Sequence, residues 1–415
     1  MQKPSFALFG QSRSLPRSLG TVHCPAAVGA CAHRSGTPRQ RSNQKPSCRS
    51  RFKMIYRIER ASLALILVGV AVLFWGGIEF ATAALLRSAG GMTVVQMGKE
   101  WLATLDASQK EKALLSYALP QRTDWHFIPK PQRKGLSLRE MTVPQKAAAR
   151  RLLQAAVSQI GFEKSAQIME LDEILRVQEG TKAKNIRDHE HYFFTLFGEP
   201  SDQTTWSLSV EGHHLSLNFV VRDGRIVDST PQFMGANPAI VGTHLPGLPA
   251  KGFRLLASEE LLAFELLGML SAEQKKKAII SPQAFPEIRG AGQSQPPDEP
   301  LVGIPFRELD RAAQRVLGRL VKNYCGSMIE SVAAERLRLI DASTGIAGSP
   351  ETVGWNNIHF AWAGAEKPGI GHSYRIEGST FVIEFCNVQN DAEGNPANHI
   401  HCIWRDRTGD FDLPK

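Results

Sequence analysis

The chain has 415 residues and a formal net charge of +9, a balance that at first sight points to nucleic acid. Residues 1–53 hold 10 Lys and Arg and no acid, so the remainder carries 39 basic against 40 acidic residues, a net charge of −1. No basic stripe is left to follow a phosphate backbone, and nucleic acid is not an expected partner. A hydrophobic share of 42% excludes disordered, collagen-like and disulfide-dense miniprotein classes and provides for a sizeable core.

In chain order, residues 1–53 form a Ser/Arg-rich leader with no apolar periodicity. It has the composition of a transit peptide, or of sequence ahead of a true start at Met54, and the second reading is favoured. From Met54 the pattern is that of an export signal over 54–83. Arg57 and Arg60 give the positive end, Leu63 to Trp75 is an apolar run, and Ala81-Thr82-Ala83 offers a small-x-small cleavage site. The rival is an uncleaved anchor within residues 61–83, since Ala61 to Ile78 is uncharged over 18 residues. Both readings place the body outside the cytoplasm, periplasmic or secreted.

Beyond the signal the chain contains itself twice. Leu102 to Leu115 recurs as Leu267 to Ile280, Gly135 to Met141 as Gly303 to Leu309, and Ser209 to Leu217 as Arg375 to Ile383, at offsets of 165, 168 and 166. The spacing implies a tandem duplication, with repeat one at 84–255 (recognisable from about 92) and repeat two at 256–415. Each repeat reads as a helix pair, a Pro/Gly-rich loop, longer helices and an antiparallel meander. In repeat one, Thr142 caps a helix through Ala147–Ala156 with Pro144 in its first turn, and a second helix covers Glu163–Gln178. Strands Trp206–Val210 and His213–Val220 flank a turn at Glu211-Gly212. In repeat two, Ser258 and Ser271 look like caps, the latter with Gln274 as a capping box. Gln293 to Pro300 is linker-like, Ser373–Ile376 and Thr380–Asn387 flank Glu377-Gly378, and a last strand covers His399–Trp404. The expected class is α+β: two helices-plus-meander units related by a pseudo-two-fold axis, their sheets packed together or continuous.

Trp206 leading into Gly212-His-His-Leu-Ser-Leu-Asn218, then Thr230 to Pro238, then His399-Ile-His-Cys-Ile-Trp-Arg-Asp406, resembles the bacterial domain-of-unknown-function family 3500. The resemblance covers about residues 92–412 and implies an exported protein of about this size, with a slightly longer tail. It implies no reaction, cofactor or substrate, so chemistry rests on the residues.

The candidate chemistry is metal binding. His399-Ile-His401 on a strand points both imidazoles to one face, about 7 Å apart at Cα, a spacing that lets two nitrogens meet one ion. Parity after Gly212 sets His213 with Leu215 and Leu217 on a core face, and His214 with Ser216 and Asn218 on a polar one. The duplication puts Glu384 on the corresponding face of repeat two. His214, His399 and His401 are therefore the candidate ligands for a zinc, iron or copper ion, and Glu384 a candidate ligand or general base. Arg375, Tyr374 and Asn237 are candidate substrate contacts, Arg375 as a carboxylate clamp or a structural ion pair. Cys386 and Cys402, on neighbouring expected strands, either pair or stay buried thiols. Trp125-His126-Phe127 and Tyr192-Phe193-Phe194 read as core packing first. The chain has no GxSxG elbow, HExxH helix, Walker loop or GxGxxG. The leading reading is an exported metal-dependent enzyme, a hydrolase using metal-bound water, acting on a small-molecule or polymer substrate. An oxidative reaction fits the same ligands. The alternative is a non-catalytic binding or assembly module with structural histidines.

Overall fold

The computed structural model describes residues 93–182, 184–343 and 354–414, which fall within one contact unit, Phe80–Lys415. The leader, the signal or anchor segment and its cleavage site lie outside the described residues. Helices α1 (Val94–Thr104) and α2 (Ala107–Ala113) come first. Asp106 closes a capping box with Gln109, which pairs two backbone donors at the start of α2. The short strand β1 (Leu114–Leu115) follows, and after a long loop β2 (Leu136–Ser137) leads to α3 (Val143–Ala156) and α4 (Gln159–Glu179). Thr142 caps α3 through a box with Gln145, with Pro144 in the first turn as expected.

Five strands then run in succession: β3 (Phe193–Phe197), β4 (Trp206–Gly212), β5 (Leu215–Arg222), β6 (Arg225–Asp228) and β7 (Gln232–Ala236). The second half contains α5 (Ala257–Met269), α6 (Ala272–Ala278), β8 (Ile279–Ser281) and β9 (Ile304–Pro305). It continues with α7 (Arg311–Cys325), α8 (Glu330–Ala342), β10 (His359–Gly364), β11 (His372–Glu377), β12 (Phe381–Asn387) and β13 (Ile400–Asp406). Ser271 and Gln274 form the expected capping box. Ser258 is not a cap: α5 begins at Ala257, one residue before it, and Leu256 is the boundary residue.

All thirteen strands belong to one mixed sheet in the order β1-β3-β4-β5-β7-β13-β12-β11-β10-β8. The outermost pairings, β1 with β3 and β8 with β10, are parallel, and the rest of that path is antiparallel. The class is thus the expected mixed α+β, with the sheet continuous through the β7–β13 pair rather than split in two. Trp404 stands opposite Gln232 there, and Ile400 opposite Ala236. A second tie lies on the helical side, where Val157, between α3 and α4, bridges Met328, between α7 and α8.

Side-chain alternation divides the core. Leu217, Met234, Cys402, Ile383 and Tyr374 join the buried faces of the helices in the main cluster. The opposite parity (Phe233, Ile403, Cys386) joins a smaller cluster with Trp125, Phe127 and Ile288, which come from the two long loops before β2 and β9. The linker-like stretch is part of this cover. The Gln293 carbonyl accepts from Trp125 Nε1 and from Arg405 Nη2, both at 2.7 Å.

One expectation is corrected here, and one alternative is decided. The β4–β5 turn is His213-His214, not Glu211-Gly212, because β4 runs on through Gly212 and pairs it with Leu215. His213 and His214 are therefore not strand residues of alternating face. Cys386 and Cys402 remain free and buried. In the β12–β13 register Cys386 faces His401 while Cys402 faces Phe385, so the two thiols point to opposite sides of the sheet and cannot meet.

Candidate metal centre

The central seam fixes two histidines by parity. His401 lies on β13 opposite Gly235, and His399 immediately precedes the strand, so both rings reach the face covered by the loops. The third arrives from the β4–β5 turn. His214 adopts a positive φ of 61°, a conformation that costs a residue with a Cβ of the order of 1 kcal/mol and persists where its surroundings fix it. Those surroundings are explicit: its N–H donates to the Phe127 carbonyl at 2.9 Å, and its carbonyl accepts from the Gly235 N–H at 2.8 Å.

The three Nε2 atoms form a triangle of 2.7 Å (His214 to His399), 3.1 Å (His399 to His401) and 3.2 Å (His214 to His401). Ligand nitrogens around a tetrahedral zinc, each at about 2.0–2.1 Å, stand about 3.3 Å apart. Three lone-pair-bearing nitrogens turned toward one point are the donor set of a divalent transition ion, and these atoms are mutually close enough to hold one.

Burial keeps the His214 and His399 rings neutral. Burial, then the neighbouring His213 and His399, pushes His214 well below the ordinary imidazole range. Burial and the adjacent His401 push His399 down to about 2. Neutral imidazole is the form that binds metal. His401 carries its own orienting group, with both oxygens of Glu287 2.8 Å from Nδ1. A proton on Nδ1 shared with that carboxylate leaves the lone pair on Nε2, the carboxylate–histidine arrangement common behind metal ligands. Phe127 lies edge-on to the His401 ring at 4.7 Å and stacks on Phe233 at 3.9 Å, so one side of the centre is dry.

His213 is not part of the triangle. Its Nδ1 lies 2.6 Å from Asp172, whose other oxygen accepts the Tyr192 hydroxyl at 2.8 Å. Arg187, itself clasped by Glu179, reaches Nε2 at 3.2 Å. With Nδ1–H given to Asp172, Nε2 accepts from Arg187, and both ring nitrogens are occupied. Burial lowers the His213 pKa and Asp172 opposes that shift. The ring stacks on His214 at 3.8 Å and so supports it.

The chain matches a protein-family model over residues 88–413, under the description Protein of unknown function (DUF3500). It belongs to this family. No curated protein and no solved structure matches the family member described here.

Of the residues singled out in the sequence, His214, His399 and His401 come together, and Asn237 lies against them, its Nδ2 3.3 Å from His399 Nδ1. Glu384 shares their sheet face but does not join them. Its carboxylate is held by Arg289, through Nε at 2.6 Å and the backbone N–H at 2.9 Å. Arg375 stacks over the Phe285 ring at 4.1 Å with Glu299 at 3.9 Å. Tyr374 faces the helical side, its hydroxyl 2.7 Å from that of Tyr324. Sequence reasoning missed Glu287, which stands in a Pro-rich loop with no pattern around it, and Asp172, a lone acid on the buried stripe of α4. A second acid–histidine group, Glu173, Asp188 and His189, is partly exposed and already paired with Arg139 and Arg176. A cleft of about 1060 Å³ lies elsewhere, over Asp228, Arg336 and Asp406. No helix among the described residues is long and apolar enough to cross a membrane.

Proposed function

We propose that this protein is an extracytoplasmic metal-dependent enzyme whose ion is held by His214, His399 and His401, with Glu287 orienting His401. The Nε2 triangle carries the reading. Three neutral ligands leave the ion its full charge and an open position, which suits activation of water for hydrolysis of a small-molecule or polymer substrate. Zinc, iron and copper all fit three imidazoles, and with iron or copper the same set supports oxidative chemistry. Arg289 takes the Glu384 carboxylate out of contention as a base, and Tyr374 is on the wrong side of the sheet for substrate. Export rests on the signal-like segment 54–83.

We also infer that the body is a tandem duplication with a pseudo-two-fold axis at the β7–β13 seam. Support comes from matching contacts at matching positions. Gln109 and Gln274 each donate to the carbonyl of a later Glu (Glu140 at 2.9 Å, Glu308 at 2.8 Å), and Lys112 and Lys277 pair with those same two acids. Gly135 and Gly303 take φ values of 95° and 97°, each where a Cβ would strike the carbonyl of Phe194 or Phe360.

The rival, a binding or assembly module with structural histidines, is favoured by one observation: His214 and His401 are only 4% and 5% exposed. Elemental analysis of the purified protein beside a His399→Ala/His401→Ala variant tests the centre. One equivalent of metal that disappears in a folded variant supports it, and no metal in either sample refutes it. Exchange of bound metal without any hydrolytic or oxidative turnover across a substrate panel favours the module.

A further inference from the structure

His399 needs the same orientation as His401 but has no carboxylate behind it. The residue that register brings there is Asn237. Ala236 pairs with Ile400, so the next residue out of β7 stands beside the residue before β13, which is His399. The Asn237 side chain is buried, with only 6% exposed. Its Nδ2 lies 3.3 Å from His399 Nδ1, while its Oδ1 is buried without a hydrogen-bond partner. An amide has nearly the same shape either way round, and the orientation that turns Oδ1 toward an Nδ1–H gives that oxygen its hydrogen-bond partner.

We propose that Asn237 is a positioning residue for the metal centre: its amide oxygen accepts the Nδ1–H of His399 and so holds the Nε2 lone pair toward His214 and His401. The inference rests on the metal reading for its purpose but not for its geometry. The backbone carbonyl of Asn390 is the other acceptor near this ring, so Asn237 shares the task of fixing the tautomer and sets the ring's rotation. The two β13 ligands are then held differently, His401 by a charged acceptor and His399 by a neutral one. The carboxylate makes its imidazole the stronger donor, and the amide keeps the second ligand uncharged in a buried place.

The test uses the full chain with Asn237→Leu, which keeps size and removes the acceptor, and Asn237→Asp, which restores one. Zinc affinity is read by chelator competition, the ligand field by the cobalt-substituted spectrum, and the His399 tautomer by nitrogen NMR of the metal-free protein. The expected result is a loss of about 10-fold or more in affinity and a shifted cobalt spectrum in Asn237→Leu, as for other orienting groups behind metal ligands. Asn237→Asp should recover both, and the Nδ1–H tautomer should be depleted only in the Leu variant. Wild-type tautomer and affinity in Asn237→Leu would overturn the proposal. So would equal losses in both variants alongside equal drops in melting temperature, which is the signature of a merely structural amide. Should the wild type itself take no metal, the metal reading fails, while the tautomer comparison still decides the role of Asn237.

Discussion

Gly235 is the position where the fold and the centre can be separated by one methyl group. A Cβ there would stand 2.9 Å from the Ile400 carbonyl oxygen and 3.0 and 3.1 Å from two ring carbons of His214. Ordinary contacts begin near 3.4 Å, so each gap has to open by about 0.3–0.5 Å. The Ile400 carbonyl belongs to the β13 ladder and yields little, which leaves the His214 ring as the part that moves. Overpacking of this kind costs about 1–3 kcal/mol. For a body of this size that is a fall in melting temperature of about 1.5–4.5 °C. Gly235→Ala is therefore expected to melt earlier and also to bind zinc more weakly than wild type, in calorimetry and chelator competition respectively. Gly318→Ala is the control: Gly318 lies inside α7 with nothing within 4 Å of an added Cβ, so the change should be neutral or stabilising. The reasoning is refuted if Gly235→Ala melts within about 1 °C of wild type and keeps its metal affinity.

Asp172→Ala leaves the buried His213 Nδ1 and Tyr192 hydroxyl without their shared partner, and should cost about 3 kcal/mol in urea denaturation; an unchanged midpoint would contradict the assigned network. His213, His214 and His399 all have lowered pKa values in the fold, so the unfolded chain takes up protons near pH 6.5 that the folded one does not. Stability of the metal-free protein should accordingly fall as pH drops below about 6.5, with a shallower slope in His399→Asn. Asp228 works in the other direction. Burial raises its carboxyl to about 7 against the opposing pull of Arg336, so its contribution is lost as pH rises from about 4 through 7, and Asp228→Asn should flatten that limb of the urea midpoint. Cys325, Cys386 and Cys402 are buried, with thiols pushed above their ordinary range by burial, and should resist alkylation until denaturant is added. A cross-linked peptide joining two of Cys325, Cys386 and Cys402, two hydrogen atoms lighter than the free thiols, would show a disulfide and contradict this.

What the sequence disclosed was mostly what local chemistry determines. The cap at Thr142, the capping box at Ser271, the strand runs and the His-x-His spacing each follow from a few adjacent residues, and each is present in the fold. His214 was found for an incomplete reason. The parity argument placed it on a polar strand face, whereas it reaches the centre from a left-handed turn, a conformation that no periodicity announces. Glu384 shows the opposite failure: its face was right, but parity does not reveal that Arg289, from a loop far away in sequence, takes the carboxylate first. Glu287 was illegible because a loop residue's position depends on what the loop packs against, here Ile288 in the aromatic cluster. The cysteines were left open between two readings because register decides them: one residue of slip sets whether neighbouring thiols face or oppose each other.

The unbroken sheet has a mechanical consequence. Two domains joined by a linker can hinge around a ligand, but here β7 and β13 are laced by backbone hydrogen bonds and the helical layers are tied again at Val157 and Met328. Amides of the seam should be among the slowest in the molecule to exchange with deuterium. Any opening at the histidines therefore falls to the two covering loops, which bring Phe127 and Glu287 to His401, while the sheet beneath stays still.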